Sequence, residues 1–434
     1  MLQAWPLALL AAMATAQPEP TAPPLTLEQS IEVALQQNPR LAAAAAELRA
    51  AAAGEPLAAS ATGLHAALNS TVRYQGPVAK IAIPNVPPIA VAPALDPSIG
   101  VTFELPLDTS GRLQAGREQA AAATDLAAAQ YEQARDQLVY EVIRSFYAVL
   151  SAQQAEAAAQ TGLTAAEEAA RVQRARRAAA QATPLAVQRA ENDLTRAEER
   201  LSDAGDRRHD AEATFNTALA RPTTDAVALE VTFLRPDRVP DPLESIAQAE
   251  AARPELAASW AALREAAAAL RAAAAANQPS LEITGGALAQ RGAFTREPLS
   301  GQIALGFSWP FAERGRGEAL THQAEASRDS AQQSVLDTRA AVELQVQQAI
   351  LAMNDAQLRI DVATDSRLVA ERALADTRRA RDAGMATRGA VLDAEANLAQ
   401  AVATERAARY DLSVAYAAWA RATGRIAGVF LKPE

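Results

Sequence analysis

Two periods organise this chain. Between residues 63 and 75, apolar and polar positions change places at every residue. Leu64, Ala66, Leu68, Val72 and Tyr74 fall on one face, and His65, Asn69, Thr71, Arg73 and Gln75 on the other. The alternation returns at 98–107, where Ile99, Val101, Phe103 and Leu105 oppose Thr102 and Glu104. It returns again at 300–311, where Ile303, Leu305, Phe307, Trp309 and Phe311 oppose Gln302 and Ser308. A fourth, glycine-rich run, Leu281 to Gln290, alternates more weakly. A period of two predicts strands with unlike faces.

Elsewhere the period is helical. Gly111 to Ala178 contains no proline and predicts one continuous helix, at ~1.5 Å per residue about 100 Å long. Residues 315–382 predict another of the same length. Val187, Leu194, Leu201 and Phe215 stand at multiples of seven, with Arg208 in the gap. Val391, Leu398, Leu412 and Trp419 do the same, with Glu405 in the gap. Such a repeat implies supercoiling against a partner helix. The first long helix carries two neighbouring stripes, Leu138, Val142 and Val149 beside Val139, Ile143, Phe146 and Leu150. Two stripes imply two partners, as for a helix in the wall of a tube.

The two halves of the chain are copies. Ile31, Pro39 and Leu41 recur as Ile246, Pro254 and Leu256, an offset of 215. Farther on the offset is 204: Gly111-Arg112 recurs as Gly315-Arg316, and Thr183, Val187, Ala190, Glu191 and Leu194 as Thr387, Val391, Ala394, Glu395 and Leu398. The difference falls where the first half carries the proline-rich stretch Pro77 to Pro97 and the second only a short Arg291–Leu299 link, a change that a loop tolerates. The expected organisation is a signal peptide at 1–16, a linker at 17–25, a first repeat at 26–220, an equatorial connector at 221–240, a second repeat at 241–424 and a C-terminal tail at 425–434. Each repeat runs helix, strand, loop, strand, long helix, turn, helix. The opening helices are expected at 26–62 and 241–277, and a short strand at Val227 to Phe233 in the connector.

Composition narrows the chemistry. Half the chain is apolar but only 4% is aromatic, so the apolar content is mostly alanine, which suits helices packed closely side by side. A net charge of −10 argues against a nucleic-acid partner. With no cysteine, thiol catalysis, disulfides and zinc–thiolate sites are excluded. His65, His209 and His322 share no metal-binding spacing, and no metal or cofactor is expected. No phosphate-binding glycine loop and no acid–base dyad in a pocket are evident, so nothing argues for an enzyme. Leu7 to Ala16, ending in Ala14-Thr15-Ala16, reads as an export signal, although its n-region has no Lys or Arg. No later stretch is long and apolar enough for a membrane helix.

A soluble half-buried sheet alternates in the same way as a membrane strand. In a bilayer a sheet satisfies its backbone only when closed into a barrel, and barrels start at about eight strands. Four strands per chain would therefore have to be pooled by several chains, and three chains would supply twelve.

The sequence resembles the TolC-like outer-membrane efflux family over nearly the whole mature chain. Leu25 to Pro39 is similar to the family's opening helix. Gly384-Met385-Ala386-Thr387 with Val391 to Leu398 resembles its second tip turn and returning helix, and Gly306 to Gly317 is similar to the heavy-metal-efflux branch at its last strand. The resemblance implies a mostly α chain with membrane β structure: a homotrimer whose 12-stranded β-barrel, four strands per chain, is continuous with a long periplasmic α-helical coiled-coil barrel. It implies a place in the outer membrane of a Gram-negative bacterium, in contact with its lipid. It also implies a periplasmic adaptor (membrane fusion) protein docked on the tip turns and an inner-membrane pump behind it. The lipid-facing residues would be Leu64, Leu68, Val72, Ile99, Val101, Phe103, Ile303, Leu305, Phe307 and Trp309. Ala383, Gly384 and Met385 match the family's tip signature, while the first-half equivalent, Ala179, Ala180 and Gln181, lacks the glycine. Asp393 aligns with a position that narrows the family's periplasmic aperture by a ring of aspartates, and the companion position is Ala390. Arg388 is placed to pair with Asp393 or to line the entrance. The expected function is a passive exit duct for small solutes. The competing reading is a periplasmic coiled-coil scaffold or adaptor without a membrane barrel, which leaves the matched strands unexplained.

Overall fold

The computed structural model describes residues 24–84, 86–90, 94–234, 240–290 and 299–430. The expected signal peptide, most of the linker and residues 291–298 of the second-half link lie outside them. The first half holds α1 (Leu27–Gln37), α2 (Pro39–Ser60), β1 (His65–Tyr74), β2 (Lys80–Ile83), β3 (Val86–Ala90), β4 (Leu95–Leu107), α3 (Arg112–Ala178) and α4 (Pro184–Ala218). The second holds α5 (Pro242–Ala252), α6 (Pro254–Ala275), β5 (Ser280–Gln290), β6 (Leu299–Ser308), α7 (Arg316–Asp382), α8 (Arg388–Ala422) and α9 (Ile426–Phe430).

Four features differ from the sequence reading. The opening helix of each half is broken, because Pro39 and Pro254 push the preceding residue out of the helical region. Asn38 and Arg253 accordingly sit at ψ 122° and 124°. Both tie the break to the end of a distant helix: Asn38 Nδ2 donates to Ala218 O (3.0 Å) and Arg253 Nη1 to Arg421 O (3.2 Å). The proline-rich stretch is not wholly loop, since β2 and β3 pair within it as a small antiparallel hairpin. Among the described residues Val227 to Phe233 forms no strand and makes one isolated bridge, Leu229 to Leu25 just before α1. The described part of the expected tail is the helix α9, which buries Ile426 and Phe430.

The strands form one antiparallel sheet in the order β1-β4-β5-β6. Its register joins the alternations into two continuous faces. Leu68 pairs with Val101, Val101 with Ala287, and Ala287 with Gly301, while Phe103 pairs with Gly285 and Gly285 with Ile303. The apolar residues of all four strands thus share one side. Asn69, Thr102, Thr284 and Gln302 share the other, where Asn69 Nδ2 donates to Thr102 Oγ1 (3.2 Å). The glycines of β5 have a packing reason: a Cβ on Gly285 would come within 2.2 Å of the Phe103 ring.

Below the sheet, α3 packs against α2, α4, α6 and α8, and α7 against α6 and α8. The lower wall therefore runs α4-α3-α8-α7. The main core sits at mid-height, where Val139, Val142, Ile143 and Phe146 of α3 meet Leu27 and Ile31 of α1, with Phe215, Leu219, Tyr410 and Ile426. Both stripes read on the first long helix are buried there. The heptad gaps are filled by ion pairs: Arg208 meets Glu156 (2.6 Å) and Glu212 (2.9 Å), and buried Glu405 meets Arg367 (2.5 Å) and Arg409 (2.6 Å).

Candidate functional site: sheet face, tips and helical wall

Three surfaces carry the residues singled out from the sequence. On the sheet, Leu64, Leu68, Val72, Ile99, Val101, Ile303, Leu305, Phe307 and Trp309 are all exposed, with Ile303 78% accessible. Phe103 is half-buried because its ring lies across the β5 glycines. Leu64 and Trp309 stand just beyond the ends of their strands. An apolar face of this extent, left open over four strands, is far larger than the scattered apolar residues normal on a soluble surface. The opposite face lines a shallow cavity of about 320 Å³ with Asn69, Thr71, Thr102, Ser300 and Gln302.

At the far end, α3 turns into α4 and α7 into α8. All six expected tip residues, Ala179, Ala180, Gln181, Ala383, Gly384 and Met385, are exposed. The missing glycine does not change the turn. Ala180 adopts φ 58° where Gly384 has φ 74°. Gln181 N donates to Arg176 O (2.7 Å) and Ala180 N to Arg177 O (3.0 Å), matching Met385 N to Ala380 O (2.8 Å) and Gly384 N to Arg381 O (2.9 Å). Both tips are the same left-handed helix cap. Each returning helix then starts at a threonine: Thr183 Oγ1 accepts from Ala186 N and Thr387 Oγ1 from Ala390 N, both at 3.2 Å. The same ion pair clamps each hairpin, Arg174 to Glu191 (3.0 Å) and Arg378 to Glu395 (2.7 Å). Of the four arginines before the first tip, Arg171, Arg174, Arg176 and Arg177, two are therefore paired, since Arg171 also forks onto Glu168 (2.7 and 2.6 Å).

Asp393 and Arg388 do not come together. Five residues apart on α8, they point about 140° from each other. Asp393 is exposed, has no ion pair among the described residues, and shares its seven-residue register with Val414, which lines a recess in the wall. Partial burial raises its pKa above the usual carboxylate value. Arg388 shares its register with Arg409, whose guanidinium lies 5.8 Å from the Phe233 ring of the connector. Its charge acts on Glu168, which is held below the usual carboxylate range first by the Arg171 hydrogen bond and to a lesser degree by Arg388.

Sequence reasoning missed three things here. Applying the 204 offset to Asp393 gives Arg189 on α4, exposed and without an ion pair among the described residues. The same offset pairs Asp411 with Arg207, and both line the mid-height recess. Asp108 caps α3 from outside the helix, accepting from Leu113 N (3.2 Å) and Gln114 N (2.8 Å), although its second-half equivalent is Ala312. The offset could have found the first two; the cap depends on a turn that no short motif marks. Among the described residues, no group of three or more His, Asp or Glu could hold a metal ion, and no helix is long and apolar enough to cross a membrane.

Sequence comparison with curated proteins gives no match. Several solved structures share the fold. The CmeC outer membrane channel of Campylobacter jejuni superposes with a TM-score of 0.80 at 18% identity, over 92% of this chain and 86% of that one. The outer membrane protein VceC of Vibrio cholerae gives 0.75 at 18%, over 92% and 96%. The MtrE outer membrane channel of Neisseria gonorrhoeae, in its open state, gives 0.75 at 20%, over 92% and 89%. The family model described as outer membrane efflux protein matches residues 30–221 and 245–425, most of the chain, and the chain belongs to that family.

Proposed function

We propose that three copies of this outer-membrane efflux protein close into one passive exit duct for small solutes. The carrying observation is that the chain is an open segment with two unfinished sides. Its sheet ends at β1 and β6, and its apolar face is exposed. Three such sheets give twelve strands, and closure is the arrangement that leaves no unsatisfied edge in a bilayer. The lower wall is equally unfinished. On α7, Leu344, Leu351, Leu358, Val362 and Val369 form an exposed stripe spaced by seven, seven, four and seven residues. That is the seam of a coiled coil whose partner is missing from the single chain.

In this reading the apolar sheet face meets lipid and the helical hairpins reach into the periplasm. The face of α4, α3 and α8 opposite the connector lines the tunnel. Asp393 stands on that face near the tip, with Arg189 on the neighbouring returning helix, and together they charge the periplasmic aperture. The two tips, alike in backbone, form the docking surface for a periplasmic adaptor, and an inner-membrane pump behind it supplies the energy. A scaffold or adaptor without a barrel would leave the four-stranded apolar face without a role.

The test is the mass of the detergent-purified protein by light scattering, together with its behaviour in planar bilayers. Three chains per particle and stepwise ion conductance are expected. A mature chain that is a soluble monomer, absent from the outer-membrane fraction, overturns the proposal.

A further inference from the structure

At mid-height the wall has two unlike faces. One stripe of α3, Val139, Val142, Phe146 and Val149, is buried beneath α1 and its neighbours, and Phe233 of the connector stacks on Tyr410 with centroids 5.4 Å apart. Half a turn round α3, at 3.6 residues per turn, lie Arg144, Tyr147, Ala148 and Ser151. They line a recess of about 740 Å³ shared by four helices, to which α4 brings Arg207, α7 brings Arg359 and α8 brings Asp411. That this face looks into the tunnel rests on the duct proposed above.

The recess gathers three guanidinium groups against one carboxylate, in a chain whose net charge is −10. None of the three arginines forms an ion pair among the described residues. Other arginines of the same helices do: Arg208 of α4 is held by Glu156 and Glu212, and Arg367 of α7 by Glu371 and Glu405. Among the described residues Asp411 is the one counter-charge lining the recess; burial raises its pKa, and Arg359 partly opposes that rise. A second recess shares Arg144 and Tyr140 with the first, but there Arg40 is paired to Glu141 (3.5 Å) and Asp210 stands near, so its charges balance. Between the arginines the lining is alanine from all four helices with half-buried Tyr140 and Val414, floored by the buried rings of Tyr147 and Tyr410, 5.7 Å apart.

We propose that this recess binds amphiphilic organic anions on their way through the tunnel. The planar guanidinium forks match carboxylate, sulfonate or phosphate oxygens. The alanine and tyrosine lining takes an apolar body, and the volume falls within the range of sites for drug-sized ligands. Binding at open, hydrated arginines is weak enough to release, as conduction requires.

Purified protein in planar bilayers tests this with naphthalene-2-sulfonate as probe and a naphthyl trimethylammonium ion of similar size as control. The sulfonate is expected to reduce conductance with half-block on the order of millimolar. The triple variant Arg144→Gln, Arg207→Gln, Arg359→Gln is expected to raise that concentration at least ~5-fold, while block by the cation does not weaken. All three side chains are exposed, so circular dichroism and particle mass should match the wild type. Equal block by sulfonate and cation, or an unchanged half-block in the triple variant, overturns the proposal. So does block by inorganic sulfate as strong as that by the naphthyl compound, which would mean attraction of any anion. A wild type without conductance sinks the duct instead. The recess is then judged by titration calorimetry of the sulfonate onto the detergent-solubilised protein: binding that the triple variant loses supports it, and no binding overturns it.

Discussion

The exposed stripe on α7 gives the most direct handle on assembly. Leu344, Leu351, Leu358, Val362 and Val369 are 54%, 61%, 64%, 68% and 64% accessible in the single chain. They extend over 26 residues of one helix, about 38 Å from the first to the last. Fully burying a leucine or valine contributes about 1.5–3 kcal/mol. With roughly 60% of each side chain still to bury, each leucine contributes about 1–2 kcal/mol per interface. A Leu351→Ser, Leu358→Ser double variant changes sites about 10 Å apart along the helix, far enough for the losses to add, so it removes about 2–4 kcal/mol per interface. A closed trimer has three equivalent interfaces, which makes the total about 6–12 kcal/mol per particle. The assay is particle mass by light scattering or native mass spectrometry over a dilution series in detergent. The variant should dissociate at concentrations where the wild type remains a trimer. Met385, 79% exposed at a tip, provides the control, because Met385→Ser should leave the mass unchanged. A double variant that dilutes like the wild type, or a control that dissociates equally, refutes the stripe as the seam between copies.

Three further outcomes are expected. Asp393→Asn should shift the reversal potential of the channel toward anions and Arg189→Gln toward cations. Because the Asp393 pKa is raised, the reversal potential of the wild type should move toward anions as pH falls, beginning at a higher pH than an ordinary aspartate would give, and this shift should vanish in Asp393→Asn. Ala180→Gly should raise the thermal midpoint, since relief of a left-handed alanine is worth about 1–2 kcal/mol against about 0.4–1 kcal/mol of added unfolded-state freedom; a lowered midpoint would show that the turn is unstrained. Glu405→Gln should cost about 1.5–3 kcal/mol in thermal unfolding near neutral pH. Burial pushes the Glu405 pKa up, but Arg409 and Arg367 hold it below the usual glutamate value, so this stabilisation is present at neutral pH and is lost as pH falls through the depressed folded value.

What the sequence made legible follows the range of the interactions involved. Strand faces and helix stripes are set by side-chain period, so Leu68, Val101 and Ile303 could be assigned one face before any register was known. The long helices needed only the absence of proline over 67 residues, which the 67-residue spans of α3 and α7 match. The breaks at Asn38 and Arg253 were within reach, because each precedes a proline. Apolar spacing that continues across each break masks it. The β2–β3 hairpin was hidden by its prolines, and β3 itself contains two. The mid-height recess could not be read from the chain at all, since Arg144, Arg207, Arg359 and Asp411 come from four helices and meet only through packing.

The duplication shows where the two repeats were free to drift. Their backbones have stayed alike through local rules: left-handed residues recur at Gly111 and Gly315, Ala180 and Gly384, and Ala220 and Gly424, whether or not glycine is present. Their charged faces have diverged to opposite signs, with Arg189 against Asp393 and Arg207 against Asp411. In a closed trimer the returning helices of the two repeats alternate round the tunnel, so each such level alternates arginine with aspartate. A ring of this kind has no net charge even though the chain carries −10. The aperture's selectivity is then a small difference between two opposed sets of charges, not the sum of one set. That is why neutralising either set should move the reversal potential, and why the two shifts should have opposite signs. A purely aspartate-lined entrance would respond to Asp393→Asn and be indifferent to Arg189→Gln.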